Sequence, residues 1–108
     1  MVSDARSLYR EAFEHFASGR DDQAIEGYRR ALEVDPEFAL AWNGLSMVYR
    51  RKGDLDAAVE AAQKLVELAP DDPLSHTNLS IVLMSKGLIP EAEDAKARAM
   101  QLQTQQDG

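Results

Sequence analysis

The chain has no cysteine, which excludes disulfides, thiolate metal sites and a cysteine nucleophile, and gives no sign of an oxidising compartment. Histidine is scarce too: only His15 and His76 are present, little material for an imidazole base or metal cluster. No glycines cluster into a phosphate-binding loop; each stands alone. A basic excess is also missing. Lys and Arg number 12 against 19 Asp and Glu, a net charge of −7, whereas non-specific attraction to phosphate needs a basic surface. No apolar run approaches a membrane span. The opening MVSDARSLYRE carries charges of both signs and no apolar run behind them, unlike a signal peptide. These absences predict a soluble, cytoplasmic protein that is not an enzyme, takes no cofactor or metal, and binds neither nucleic acid nor membrane.

What is present is a period. Gly19, Gly53 and Gly87 are 34 residues apart in both intervals, and each is followed five residues later by an alanine: Ala24, Ala58 and Ala92. Pro36 and Pro70 keep the same interval, and Thr104 stands where a third proline would fall. A fixed period in this range marks a repeat architecture, in which each unit buries its apolar face only by stacking on its neighbours. The 108 residues hold about three units, the fewest that stack stably.

Helical periodicity fills every segment between breaks, and strand alternation is absent. The pattern predicts an all-α chain with helices at about 4–18, 21–34, 37–52, 55–68, 73–86 and 89–103. The glycines close the first helix of each pair in a left-handed conformation. Asp54, Asp72 with Pro73, and Pro90 read as helix starts. Short turns make antiparallel neighbours. Arg50, Arg51 and Lys52 before Gly53, and Lys86 before Gly87, face the negative ends of helix dipoles; Asp21, Asp22, Asp54, Asp56 and Glu91 suit the positive starts that follow. Ala24, Ala58 and Ala92 are expected where the helices of each pair cross, and a larger side chain there costs about 1–3 kcal/mol.

The middle unit carries Trp42, Leu45, Ser46, Tyr49, Gly53, Ala58 and Pro70, and this set resembles the tetratricopeptide repeat. The resemblance covers residues 5 to 104. Ser46, Ser80 and Ala12 stand where the family has a small glycine, and Tyr28 keeps an aromatic that Ala62 and Lys96 do not. It implies a single-domain, right-handed α-solenoid of three helix-turn-helix repeats, about six antiparallel helices in units 5–38, 39–72 and 73–106, with a polar tail at 104–108. Glu11 and Glu14 replace Leu45, Val48, Leu79 and Val82, and Glu93 and Lys96 replace Val59 and Ala62. Polar end faces of this kind close an array. Met100 and Leu102 are expected to leave the last helix somewhat sticky.

Tetratricopeptide arrays bind peptides or protein segments in a concave groove lined by the first helix of each pair. By phase, the resemblance assigns that lining to Arg6, Tyr9, Phe13 and Phe16; Leu40, Asn43, Met47, Arg50 and Arg51; and Leu74, Thr77, Asn78, Ile81 and Met84. Each set lies on one helix face. Trp42, Leu45 and Tyr49 form a separate packing stripe on the second unit's first helix, so its other apolar side needs a cover. Methionine suits an adaptable binding surface. Chaperone-binding members grip an acidic carboxyl terminus with a lysine, asparagine and arginine clamp; the matching places here carry Tyr9, Phe13, Gly44, Leu74 and Asn78, so that clamp is absent. Arg50 and Arg51 are expected to hold an acidic residue at the groove edge, with Asn43 and Asn78 free for a peptide backbone. His15 and His76 match packing positions, and the Asp21–Asp22 and Asp71–Asp72 pairs read as capping and solvated turns. The implied function is an adaptor for a protein or peptide segment. A homo-oligomer assembled through the groove or the last helix is the alternative.

Overall fold

The recurring glycines stop helices in one repeated way. In the computed structural model, which describes residues 4–107, Gly19, Gly53 and Gly87 have φ of 79°, 87° and 84°, the left-handed region that a Cβ resists. Their amides donate to the carbonyls of Phe16, Arg50 and Met84 at 3.0–3.1 Å, and the next residues, Arg20, Asp54 and Leu88, donate to His15, Tyr49 and Leu83 at 2.8–2.9 Å. The second bond of each pair is that of a Schellman turn. Three equal turns give three equivalent hairpins.

The helices are α1 (Ala5–Ala17), α2 (Asp21–Val34), α3 (Ala39–Lys52), α4 (Leu55–Leu68), α5 (Pro73–Ser85) and α6 (Ile89–Asp107), with no strand among the described residues. The bounds read from sequence agree within two residues except at the end of α6, which runs to Asp107 through the expected polar tail. No glycine or proline breaks the chain from Glu91 to Asp107. Thr104, in the phase of Pro36 and Pro70, keeps its amide and turns its hydroxyl onto the Met100 carbonyl at 3.0 Å. Gly108 lies outside the described residues. Asp4, Asp54 and Asp72 cap α1, α4 and α5 by accepting from Ser7, Ala57 and Leu74 amides at 2.7, 3.3 and 3.0 Å. The bond from the Ser7 amide holds the Asp4 carboxyl below its ordinary range.

Within each unit the two helices pack on each other, and α2 packs on α3 as α4 packs on α5. Contacts between units are unequal in the two layers. α1 touches α3 and α3 touches α5, while among the described residues α2 does not reach α4, nor α4 α6. A stack closed on one side and splayed on the other curves toward the closed side, so α1, α3 and α5 form the inner face.

Ala24, Ala58 and Ala92 are fully buried, as are Ala12 and Ser46. At the third crossing the Ser80 hydroxyl donates to the Ala92 carbonyl at 2.8 Å; at the second, the Ser46 hydroxyl has no partner among the described residues. The close approach also needs two glycines that periodicity does not flag. A Cβ added at Gly27 would lie 2.7 Å from that of Ala12, and one at Gly44 would enter the Tyr28 ring. That ring is only 1% exposed, and burial pushes its phenol up to about 12.

The end faces are polar: Glu11, Glu14, Glu93 and Lys96 are exposed. Met100 is 61% exposed. Leu102 departs from expectation. It is buried with Ala92, Ala95 and Ala99, because alternating steps of three and four place these four residues on one face.

Candidate functional site

The inner face collects side chains from α1, α3 and α5 that the core does not use. Phe13, Leu40, Met47, Leu74, Ile81 and Met84 are all exposed, from 40% at Met47 to 74% at Leu74. On α3, Trp42, Leu45 and Tyr49 occupy the other side of the helix, since a helix turns about 100° per residue. The apolar surface of α3 is therefore divided into a packed stripe and an open one.

The remaining residues assigned by phase have divided duties. Arg6, Arg50, Arg51 and Thr77 are exposed, whereas Tyr9, Phe16, Asn43 and Asn78 are half-buried. Tyr9 packs against Phe13, Tyr28 and Phe38, with ring centroids 5.5–6.3 Å away. The Arg6 guanidinium lies 5.7 Å from the Phe38 ring. Asn78 donates to the Asn43 side-chain oxygen at 2.7 Å, so the two amides expected to be free for a peptide backbone are joined across α3 and α5. None of the fourteen residues is acidic and three are arginines, in a chain of net charge −7.

The rim where α1, α3 and α5 end is held by ion pairs between units. Arg51 pairs with Asp21, Lys52 with Asp22, and Lys86 with Asp56. The last two are the same contact one period apart. The bond to Asp22 raises the Lys52 ammonium above its ordinary value. The capping part of the sequence reading of Asp21 and Asp22 is thereby corrected: Arg20 occupies the cap of α2 without a side-chain bond, and both aspartates face cations of the next unit, while Asp22 stays largely solvated as expected. Arg51 also donates to the Phe16 carbonyl at 2.9 Å and stacks 4.0 Å from the Phe16 ring centre. Arg50 donates through Nε to Ser85 Oγ at 3.0 Å, and that hydroxyl donates to the Ile81 carbonyl at 3.0 Å.

Two clefts open on this side. One, of about 520 Å³, is lined by Phe16, Met47, Arg50, Arg51, Gly53, Leu55 and Ser85. The other, of about 340 Å³, lies between Tyr9, Arg10, Phe13 and Glu14. Arg10, Glu14, Leu55 and Ser85 were not singled out for this face by periodicity. Ser85 follows Met84 directly, and that adjacency was the available signal. A larger cleft, of about 630 Å³, opens on the outer side, where Trp42, Leu45 and Tyr49 of α3 show between α2 and α4. It is the gap left by the splayed outer layer.

Both histidines have structural partners. His76 Nε2 is 2.7 Å from the Pro70 carbonyl, and Trp42 Nε1 donates to the Pro36 carbonyl at 2.9 Å; the two bonds are one period apart. A carbonyl only accepts, so His76 carries its proton on Nε2. His15 Nδ1 accepts from Arg20 Nε at 3.0 Å. Among the described residues no three His, Asp or Glu side chains could hold a metal ion, and no helix is long and apolar enough to cross a membrane.

Solved structures share this architecture. A crystal structure of MamA matches with a TM-score of 0.91 at 24% identity, covering 96% of this chain and 61% of that one. The second tetratricopeptide domain of Spaghetti (RPAP3), bound to the HSP90 peptide SRMEEVD, matches at 0.86 and 20% identity, covering 93% of each chain. The Yersinia enterocolitica type III secretion translocator chaperone SycD, in an alternative dimer, matches at 0.85 and 22% identity, covering 91% of this chain and 74% of that one. The chain spans about three fifths of the MamA chains, 61% and 57% in two structures. No curated protein matches the sequence. At these identities the likeness is one of fold. A family model described as tetratricopeptide repeat matches residues 9–73, more than half of the 108. The chain therefore belongs to the tetratricopeptide repeat family.

Proposed function

We propose that the chain is a protein-interaction module, an adaptor that holds a peptide or protein segment along the inner face of α1, α3 and α5. The observation that carries this reading is the row of exposed apolar side chains Phe13, Leu40, Met47, Leu74, Ile81 and Met84. Six large apolar groups in water on one face represent free energy that a ligand recovers. Burying three or four of them returns about 1.5–3 kcal/mol each, offset in large part by ordering and association costs, which leaves about micromolar affinity.

The ligand differs from the one in the RPAP3 structures, which is the HSP90 peptide SRMEEVD. The places that carry the carboxylate clamp in chaperone-binding family members hold Tyr9, Phe13, Gly44, Leu74 and Asn78 here, and none of these is a cation. The segment is recognised by apolar anchors first.

The test is a triple substitution, Phe13→Ser, Met47→Ser and Ile81→Ser. Peptides selected from a displayed random library on the wild-type chain should lose binding to the variant, while far-ultraviolet circular dichroism stays unchanged. A collapsed helical signal would reassign these side chains to the core, and retained binding on an intact fold would move the site elsewhere. A second reading, self-association through the last helix, draws on Met100 at 61% exposure. Light scattering across a concentration series separates the two: a monomer at high concentration removes self-association.

A further inference from the structure

Four cations close the first helices of the second and third units: Arg50, Arg51, Lys52 and Lys86. Three of them meet carboxylates, in the pairs with Asp21, Asp22 and Asp56. Among the described residues Arg50 meets only the Ser85 hydroxyl, through Nε. That bond fixes one edge of the guanidinium, and the Ser85 oxygen is itself held by its bond to the Ile81 carbonyl. The opposite edge, with Nη1 and Nη2, has no partner among the described residues. Arg50 lines a cleft of about 520 Å³ that is also lined by Phe16, Met47 and Leu55. Arg51 walls this cleft without adding free charge, since Asp21 matches it and the Phe16 ring stacks on it.

A planar guanidinium with a free pair of parallel N–H groups suits a carboxylate, which accepts both in one plane. The apolar lining beside it suits an adjoining apolar side chain. Resting on the reading of the inner face as a segment-binding surface, we propose that Arg50 binds the side-chain carboxylate of one Asp or Glu in the partner segment. An apolar neighbour of that residue packs on Phe16, Met47 and Leu55. Charge argues for one acid among apolar residues rather than an acidic run, because the chain's net charge of −7 repels a segment that is acidic throughout. Ser85 acts as a positioning residue: its hydroxyl holds the Nε edge of the guanidinium and so leaves the Nη edge to the carboxylate.

The test starts from peptides selected on the wild-type chain from a displayed random library. They are synthesised with both ends blocked, so that side chains hold their only carboxylates. The expected peptides contain an Asp or Glu beside an apolar residue, and changing that acid to its amide weakens binding about tenfold or more. Arg50→Gln should cause the same loss with the acidic peptide and none with the amide peptide. Arg50→Lys keeps the charge without the fork and should recover only part of the affinity. Ser85→Ala should narrow the preference for acid over amide while leaving the amide peptide's affinity alone. The peptide-side change needs no folding control. Peptides that lose binding to the triple variant but ignore Arg50→Gln overturn this assignment and leave the groove standing. Peptides that bind only with a free carboxyl end also overturn it. A library that yields no binder overturns both readings.

Discussion

Replacing Gly44 by alanine sets two effects of opposite sign against each other. Gly44 lies inside α3, where alanine is favoured over glycine by about 1 kcal/mol. Propensity alone therefore makes Gly44→Ala stabilising. The structure demands the reverse, since the added Cβ would enter the ring of Tyr28. That ring is 1% exposed and cannot swing into solvent. Overpacking of this kind costs about 1–3 kcal/mol, occasionally more, and a rigid aromatic between α2 and α3 belongs at the upper end. The expected net effect is a loss of about 1–2 kcal/mol. Urea unfolding, followed by circular dichroism and by Trp42 fluorescence, measures it. In a Tyr28→Leu background the obstruction is gone and the same substitution should become neutral or stabilising, a coupling of about 2 kcal/mol between the two sites. A Gly44→Ala variant more stable than the wild type, with Tyr28 present, would refute the argument.

The two crossing serines should respond differently to removal of the hydroxyl. Ser46→Ala deletes a buried hydroxyl without a partner and should stabilise by about 1 kcal/mol, whereas Ser80→Ala breaks the bond to the Ala92 carbonyl and should cost about 0.5 kcal/mol after its gain in helix propensity. Matched denaturant titrations check this, and equal effects at both sites would contradict it. Burial pushes the Tyr28 phenol from its ordinary 10.0 up to about 12, so the folded state keeps a proton that the unfolded state releases. This stability contribution is whole below pH 10 and falls by about 1.4 kcal/mol per pH unit until it is spent near pH 12. Tyr28→Phe should flatten that part of the stability profile, measured by denaturant midpoints at stepped pH.

The hinges were legible because one residue type performs each task alone. A left-handed turn calls for glycine, and an isolated glycine recurring every 34 residues at Gly19, Gly53 and Gly87 announced all three turns. The residues assigned to the inner face were reachable by phase, since α1, α3 and α5 are equivalent by repetition. Three features were hidden. Gly27 and Gly44 occur once each, without period, and their role depends on neighbours from another helix. The pairing of Asp22 with Lys52 and of Asp56 with Lys86 joins residues 30 positions apart, and helix-end electrostatics already accounted for every one of those charges. The junction of Asn43 with Asn78 breaks the period by one residue, because α5 offers an amide just after the place where α3 has one. Leu102 lay inside the helix expected at 89–103, and its spacing from Ala92, Ala95 and Ala99 was the available signal; the run of α6 on to Asp107 is what nothing near Thr104 signals.

Trp42 and His76 cap the proline carbonyls behind them with the same bond. In the second and third units that place holds an aromatic ring bearing an N–H, an indole in one and an imidazole in the other, whereas the first unit has Leu8 there. The family match ends at residue 73, before His76. The architecture continues unchanged for another hairpin. Degenerate terminal units in other helical arrays can be recovered in the same way, by asking which side chain donates a hydrogen bond to the preceding proline carbonyl.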